Sequence, residues 1–285
     1  MSNFAGLRVL ALESRRAEEI GKLISSRGGA PVVAPSMREV PLESNKEALA
    51  FASDLRNGRF PVVIFLTGVG ARALARVVQS VYPLEQFIAA LKKSAVVARG
   101  PKPAAVLREW GVPIAISVPE PNTWRELLRS LDEHAESAPV QGRRVALQEY
   151  GAPNPELLAG LAERGAIVTR VPVYQWALPE NIGPLRDAVA ALAREEIDVV
   201  LFTTSIQIEH LLRVAGEMGL AERVRQALRK AVLASIGPTT SEALREHGLA
   251  PDLEPSHPKL GFLVTEAAER SSALLAAKRG RQPAP

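Results

Sequence analysis

The chain repeats itself, and that duplication limits its architecture more than any other feature. Gly6-Leu-Arg-Val-Leu-Ala-Leu-Glu13 returns as Gly142-Arg-Arg-Val-Ala-Leu-Gln-Glu149. Val62-Val-Ile-Phe-Leu-Thr67 returns as Val199-Val-Leu-Phe-Thr-Thr204, and Gly100-Pro-Lys-Pro103 as Gly237-Pro-Thr-Thr240. The order is kept, and one offset relates Thr67 to Thr204, Gly100 to Gly237 and Gly111 to Gly248. The first two blocks are apolar, β-branched runs suited to buried strands, and the stretches that follow the first and third are helix-patterned and stop at a glycine: Gly28, Gly165, Gly111 and Gly248. Continuous apolar runs alternating with helical stretches predict a parallel sheet covered on both faces, a doubly wound α/β fold. In such sheets ligands sit beyond the carboxyl ends of the strands, which here carry short Gly, Thr and Ser turns.

Composition then narrows the chemistry. With 285 residues, 47% of them hydrophobic, the chain has material for two domains. It contains no cysteine, so disulfides, Fe–S clusters and thiol nucleophiles are excluded. His134, His210, His247 and His257 stand far apart, with no H-x-x-x-H pair, and read as surface or helix-end residues; no metal is expected. The formal charge of +4 is small and its basic residues are interleaved with acids, which suits an anionic small molecule better than nucleic acid. No apolar run reaches the roughly 18 to 20 residues of a membrane span, and MSNFAGLRVL lacks the plan of a secretory signal, so a cytoplasmic protein with no membrane partner is expected. Gly68-Val-Gly70 stops short of a dinucleotide fingerprint.

The repeated unit is a strand, then Thr-x-x-Gly or Thr-Ser and a helix, then a strand, Gly-Pro-x-(Thr), a helix and Gly. Together with Val62 to Leu74 (VVIFLTGVGARAL), Ala234 to Gly248 (ASIGPTTSEALREHG) and Ala166 to Trp176 (AIVTRVPVYQW), it resembles the uroporphyrinogen-III synthase family over almost the whole chain. The resemblance implies two doubly wound parallel-sheet α/β domains joined by a two-stranded antiparallel linker. The first domain would hold residues 1–38 with 177–285 and the second 42–172, the chain crossing at 38–43 and 173–178. Pro41, Pro172 and Pro179 suit such extended crossings, since proline lacks a ladder amide. Contiguous halves split near Pro139 are the alternative that the repeat alone suggests.

The resemblance also implies an activity: closure of hydroxymethylbilane, a linear tetrapyrrole with eight carboxylates, to uroporphyrinogen III, with inversion of the last ring and loss of water. This chemistry asks for positioning and hydrogen-bond donors, and for no cofactor. A monomer in transient contact with hydroxymethylbilane synthase is expected. A non-catalytic two-lobed module of the same fold, binding an anionic ligand, is the competing reading.

Turns that open helices expose amides at the positive end of the helix dipole, a seat for carboxylates. Substrate contacts are therefore expected at Thr67, Gly68, Val69, Gly100, Lys102, Tyr150, Gly151, Thr204, Ser205, Thr239 and Thr240. The same hydroxyls suit helix capping without any ligand. Tyr174 matches the family's tyrosine in the Val-Pro-Val-Tyr crossing and is the expected proton donor to the departing hydroxyl, a phenol of ordinary pKa about 10 staying protonated at neutral pH. An aromatic anchor beside Trp176 is its alternative role. Arg15 and Arg16 would pair a propionate or be solvated charge, and Trp124 would line the cleft or staple a helix. The sequence departs from the family where Gly100-Pro-Lys-Pro103 ends without Thr and Thr67-Gly-Val-Gly70 replaces Thr-Ser-x-Asn, so backbone donors are expected to dominate there. Gly68 and Gly70 would let the main chain approach a ligand closely.

Overall fold

The computed structural model describes residues 3–42, 44–149, 151 and 153–280. The chain opens with β1 (Arg8–Ala11), α1 (Ala17–Ser26), β2 (Ala30–Val33), β3 (Arg38–Pro41), α2 (Lys46–Arg56), β4 (Val62–Phe65), α3 (Gly68–Gln79) and α4 (Leu84–Leu91). It continues through β5 (Ala95–Ala98), α5 (Pro101–Glu109), β6 (Ile116–Ser117), α6 (Trp124–Glu133), β7 (Arg144–Gln148), α7 (Pro155–Glu163), β8 (Ile167–Val171) and β9 (Tyr174–Ala177). The last part holds α8 (Gly183–Ala193), β10 (Val199–Phe202), α9 (Ile206–Glu217), α10 (Ala221–Lys230), β11 (Val232–Ser235), α11 (Pro238–Glu246) and α12 (Leu260–Lys278). Two compact units result: Met1–Arg38 with Ala177–Pro285, and Glu39–Trp176.

The first unit is a four-stranded parallel sheet, β11-β10-β1-β2, and the second a five-stranded one, β6-β5-β4-β7-β8. The duplicated blocks occupy equivalent strands but exchange partners, so the opening strand β1 lies beside the late strand β10, and β7 beside β4. Even the register recurs: Val9 faces Val199 in one sheet, and Val145 faces Val62 in the other. Where the second sheet has β6, the first has a single bridge, Ala234 to Leu253.

Alternation along each strand divides the core into two layers per unit. In the first, Leu10, Val200, Phe202 and Leu233 face α8 to α11, while Val9, Val199, Leu201 and Val232 face α1 and α12. In the second, Val63, Phe65 and Val96 meet α2 to α5, and Val62, Ile64, Val145 and Leu147 meet α6 and α7. Each such side chain, fully buried, is worth about 1.5–3 kcal/mol relative to exposure. Burial on both faces explains why the strand sequences read as unbroken apolar runs rather than alternating ones. The stops at Gly28, Gly111, Gly165 and Gly248 have φ of 69, 63, 74 and 71°, the left-handed turn that ends a helix most cheaply at glycine.

β3 and β9 pair as the small antiparallel sheet at the crossings. Arg38 fixes the end of β3, donating from Nε to the Leu178 carbonyl (3.1 Å) and pairing with Glu180 (3.0 Å). Among the described residues no helix is long and apolar enough to cross a membrane. One histidine departs from expectation: His210 lies inside α9, buried, with Nδ1 2.7 Å from the Ser36 carbonyl. His134 and His247 do end helices, α6 and α11, and His257 is exposed.

Candidate functional site

In the second unit the turns after β4, β5 and β7 share the carboxyl edge of one parallel sheet, which collects Thr67, Gly68, Val69, Gly100, Lys102 and Gly151. Thr67 caps α3, its hydroxyl accepting from the Gly70 amide (2.9 Å), so the capping role is real. The amides of Gly68 and Val69 have no partner among the described residues and remain available to a ligand. α5 offers less: Pro101 and Pro103 remove two amides of its first turn and leave that of Lys102. The Lys102 side chain is exposed and unpaired among the described residues, so one amide and one cation mark this turn.

The glycines of the first turn serve the protein itself. A Cβ on Gly68 would stand 2.8 Å from the Lys102 carbonyl, and one on Gly70 would collide with the Gln148 carboxamide. The space that the sequence suggested for a ligand is therefore filled by α5 and by the end of β7. An exposed pair, Arg72 to Glu109 (3.1 Å), also spans α3 and α5.

Tyr174 and Gly151 meet through Trp176. The indole lies over Gly151, where any Cβ would clash with it, and stacks edge-on against Tyr174 with centroids 5.3 Å apart. Tyr174 is 6% exposed, so the phenol is an anchored side chain, and it also lines a hollow of about 440 Å³ with Val69, Arg76 and Asn45. The contact with Trp176 is the one that the anchor reading expects, and the phenol's role as proton donor is a matter of function. Tyr150 lies outside the described residues. Trp124 opens α6 beside a capping box of Thr123 and Glu126 and packs, partly buried, against the core.

The first unit collects Arg15, Arg16, Thr204, Ser205, Thr239 and Thr240 along its own carboxyl edge. Here the protein supplies an anion: Glu13 accepts from the amides of Arg15 (3.0 Å) and Arg16 (3.2 Å) and from the Thr203 hydroxyl (2.6 Å). Arg16 pairs with Glu19, an exposed contact whose hydrogen bond raises the guanidinium and lowers the carboxyl pKa. The carboxamide of Gln207 takes the Thr203 amide (2.7 Å) and, more weakly, the Thr204 amide (3.3 Å). Among the described residues, amides left without a partner at this edge include those of Ser205 and Ile206 at the opening of α9 and of Thr239 on α11, while the Thr240 side chain is buried.

Sequence reasoning missed Glu13, Gln148 and Gln207, the groups that close these turns. Glu13 had a visible signal, since the repeat places Glu149 at the same point; there the carboxylate is buried and paired bidentately with Arg170 (2.7 and 3.1 Å). Gln148 carries no such mark because it acts across the fold on Thr67, and Gln207, though it acts only three and four residues back on Thr204 and Thr203, is a residue type with no distinctive pattern.

Two exchanged α/β repeats, each with helix-opening amides along one sheet edge, define a class of duplicated, doubly wound α/β fold. Known proteins give it a family. The HEM4 pattern, described as uroporphyrinogen-III synthase HemD, matches residues 18–265, and the chain belongs to this family. The chain is 33% identical to the uncharacterized protein YjjA of Bacillus subtilis (strain 168) over 269 residues, covering 93% of this chain and 96% of that protein. It is 30% identical over 175 residues to the uroporphyrinogen-III synthase of Synechococcus elongatus, covering 59% and 62%. A crystal structure of a mutant uroporphyrinogen III synthase from the extremely thermophilic bacterium Thermus thermophilus superposes with a TM-score of 0.70 at 27% identity, over 92% of this chain and 97% of that one.

Proposed function

We propose that this protein cyclises hydroxymethylbilane to uroporphyrinogen III. The observation that carries the reading is that the family match runs through both repeated halves and includes Tyr174 and the turns on both edges.

The substrate's carboxylates call for fixed donors, and the amides of Gly68, Val69 and Lys102 in one unit and of Ser205 and Thr239 in the other, without a partner among the described residues, support the reading. The bond to break joins a methylene carbon to its hydroxyl on the first ring. Proton donation from the Tyr174 phenol lets the hydroxyl leave as water, and the pyrrole nitrogen's electron pair gives an azafulvene cation. The substituted carbon of the last ring attacks, giving a spiro intermediate that fragments and recloses with the ring inverted. The final loss of a ring proton returns the proton to the phenolate, so the protein is unchanged. Anchoring Tyr174 on Trp176 lowers the cost of holding the donor in place.

The test is to incubate the protein with hydroxymethylbilane, oxidise, and separate the porphyrin isomers. Tyr174→Phe should lower kcat by about 10²-fold, the lower end of a positioned acid's contribution, with KM little changed. A Tyr174→Phe enzyme as fast as the wild type would remove the proton-donor role.

A further inference from the structure

We infer that the hollow beside Tyr174 is a binding pocket for a single pyrrole ring with its carboxylate arms, seated with the ring N–H inward and a carboxylate at Arg76. The inference rests on the tetrapyrrole reading above and assigns one part of the substrate to one part of the protein.

Val69, Ala73, Arg76 and Val77 form one face of α3, at the spacing that brings helical side chains together. Val40 from β3 and Val173, beside Tyr174 at the start of β9, make the facing wall. The hollow of about 440 Å³ falls within the roughly 300–1,000 Å³ of small-molecule sites. That holds one substituted pyrrole and excludes a tetrapyrrole, so only one ring of the substrate enters.

The polar groups give the pocket a direction. Asn45, at the start of α2, has a buried Oδ1 with no hydrogen-bond partner among the described residues and makes no cap to its own helix. A buried acceptor left unpaired is costly, and a ligand N–H would satisfy it. Glu39 also lines the hollow. Arg76 is exposed and makes no ion pair among the described residues, so its guanidinium is available at the solvent side. Acceptors at one side, apolar walls and a free guanidinium at the other suit a ring that carries N–H on one edge and anionic arms on another. A simple carboxylic acid would leave Asn45 unsatisfied, and an uncharged heterocycle would leave Arg76 unused.

Four proteins test this: wild type, Arg76→Gln, Asn45→Ala and, as a remote surface control, Arg229→Gln. Two readouts are taken, steady-state kinetics with hydroxymethylbilane and calorimetric binding of a monopyrrole bearing one acetate and one propionate arm. The pocket predicts that Arg76→Gln raises KM about tenfold with kcat within twofold, and weakens monopyrrole binding to a similar degree, while Arg229→Gln matches the wild type. Asn45→Ala should weaken monopyrrole binding without altering the affinity for acetate. If the wild type makes type III product and Arg76→Gln leaves both KM and monopyrrole binding unchanged, the pocket assignment falls and the proposed activity stands. If the wild type makes only type I product, the activity falls, and the pocket stands or falls on whether monopyrrole binding is saturable and depends on Arg76.

Discussion

Glu149 is 3% exposed and rests on a single guanidinium, so removing that partner strands a carboxylate where water reaches it poorly. Arg170→Ala should lower unfolding free energy by about 2 kcal/mol, less than a fully buried pair because the Arg170 side chain is 49% exposed. Arg16→Ala, which breaks the exposed pair with Glu19, should stay within a few tenths of a kcal/mol. Urea titrations of the two variants measure the difference, and equal effects would show that burial of Glu149 is not what makes its pair matter. Residue identities announced part of this. The repeated Glu13 and Glu149 were plain in the sequence, but one binds two amides and a hydroxyl and the other an arginine, a distinction set by which chain segment packs alongside. Gly68 and Gly70 misled for the same reason: a glycine shows that something comes close, and only the fold shows that it is Lys102 and Gln148.

The two halves, alike in sequence, differ at their helix openings. Thr67 caps α3 through its side chain, whereas Ser205, at the equivalent opening of α9, makes no cap bond. Thr67→Ala should therefore cost ~1 kcal/mol of stability and Ser205→Ala a few tenths, with thermal unfolding as the measurement. Similar losses at both would mean that the openings are equivalent after all. At α6, burial works against the charged form of Glu126, but the Thr123 hydroxyl and amide, helped by Arg129, hold its carboxyl below the usual range. A depressed carboxyl stabilises the fold above the ordinary value, about 4.3, and that contribution fades as pH falls through the folded-state value. Glu126→Gln should flatten this part of the acid-induced loss, and a variant with the wild-type acid profile would contradict it. Strands and helix stops were legible because continuous apolar runs and Arg-Gly stops are local signals. The two-residue β6 and the Leu253 bridge were not, being too short to carry a pattern.

Across the whole chain, equivalent strands and repeated register follow from one strand–helix plan used twice, and the two copies exchange strands between the sheets. The exchange itself was legible only through the family resemblance, since the repeat alone fits contiguous halves equally well. The family match assigns the fold firmly, while among the relatives stand both a named synthase and the uncharacterized YjjA. The activity is thus the claim that most needs a measurement. That measurement is the isomer composition formed from hydroxymethylbilane as protein concentration is raised. Cyclisation with inversion predicts a type III fraction that climbs with protein until it displaces the spontaneous product. A mixture that stays type I at every concentration, with the protein folded, would contradict it.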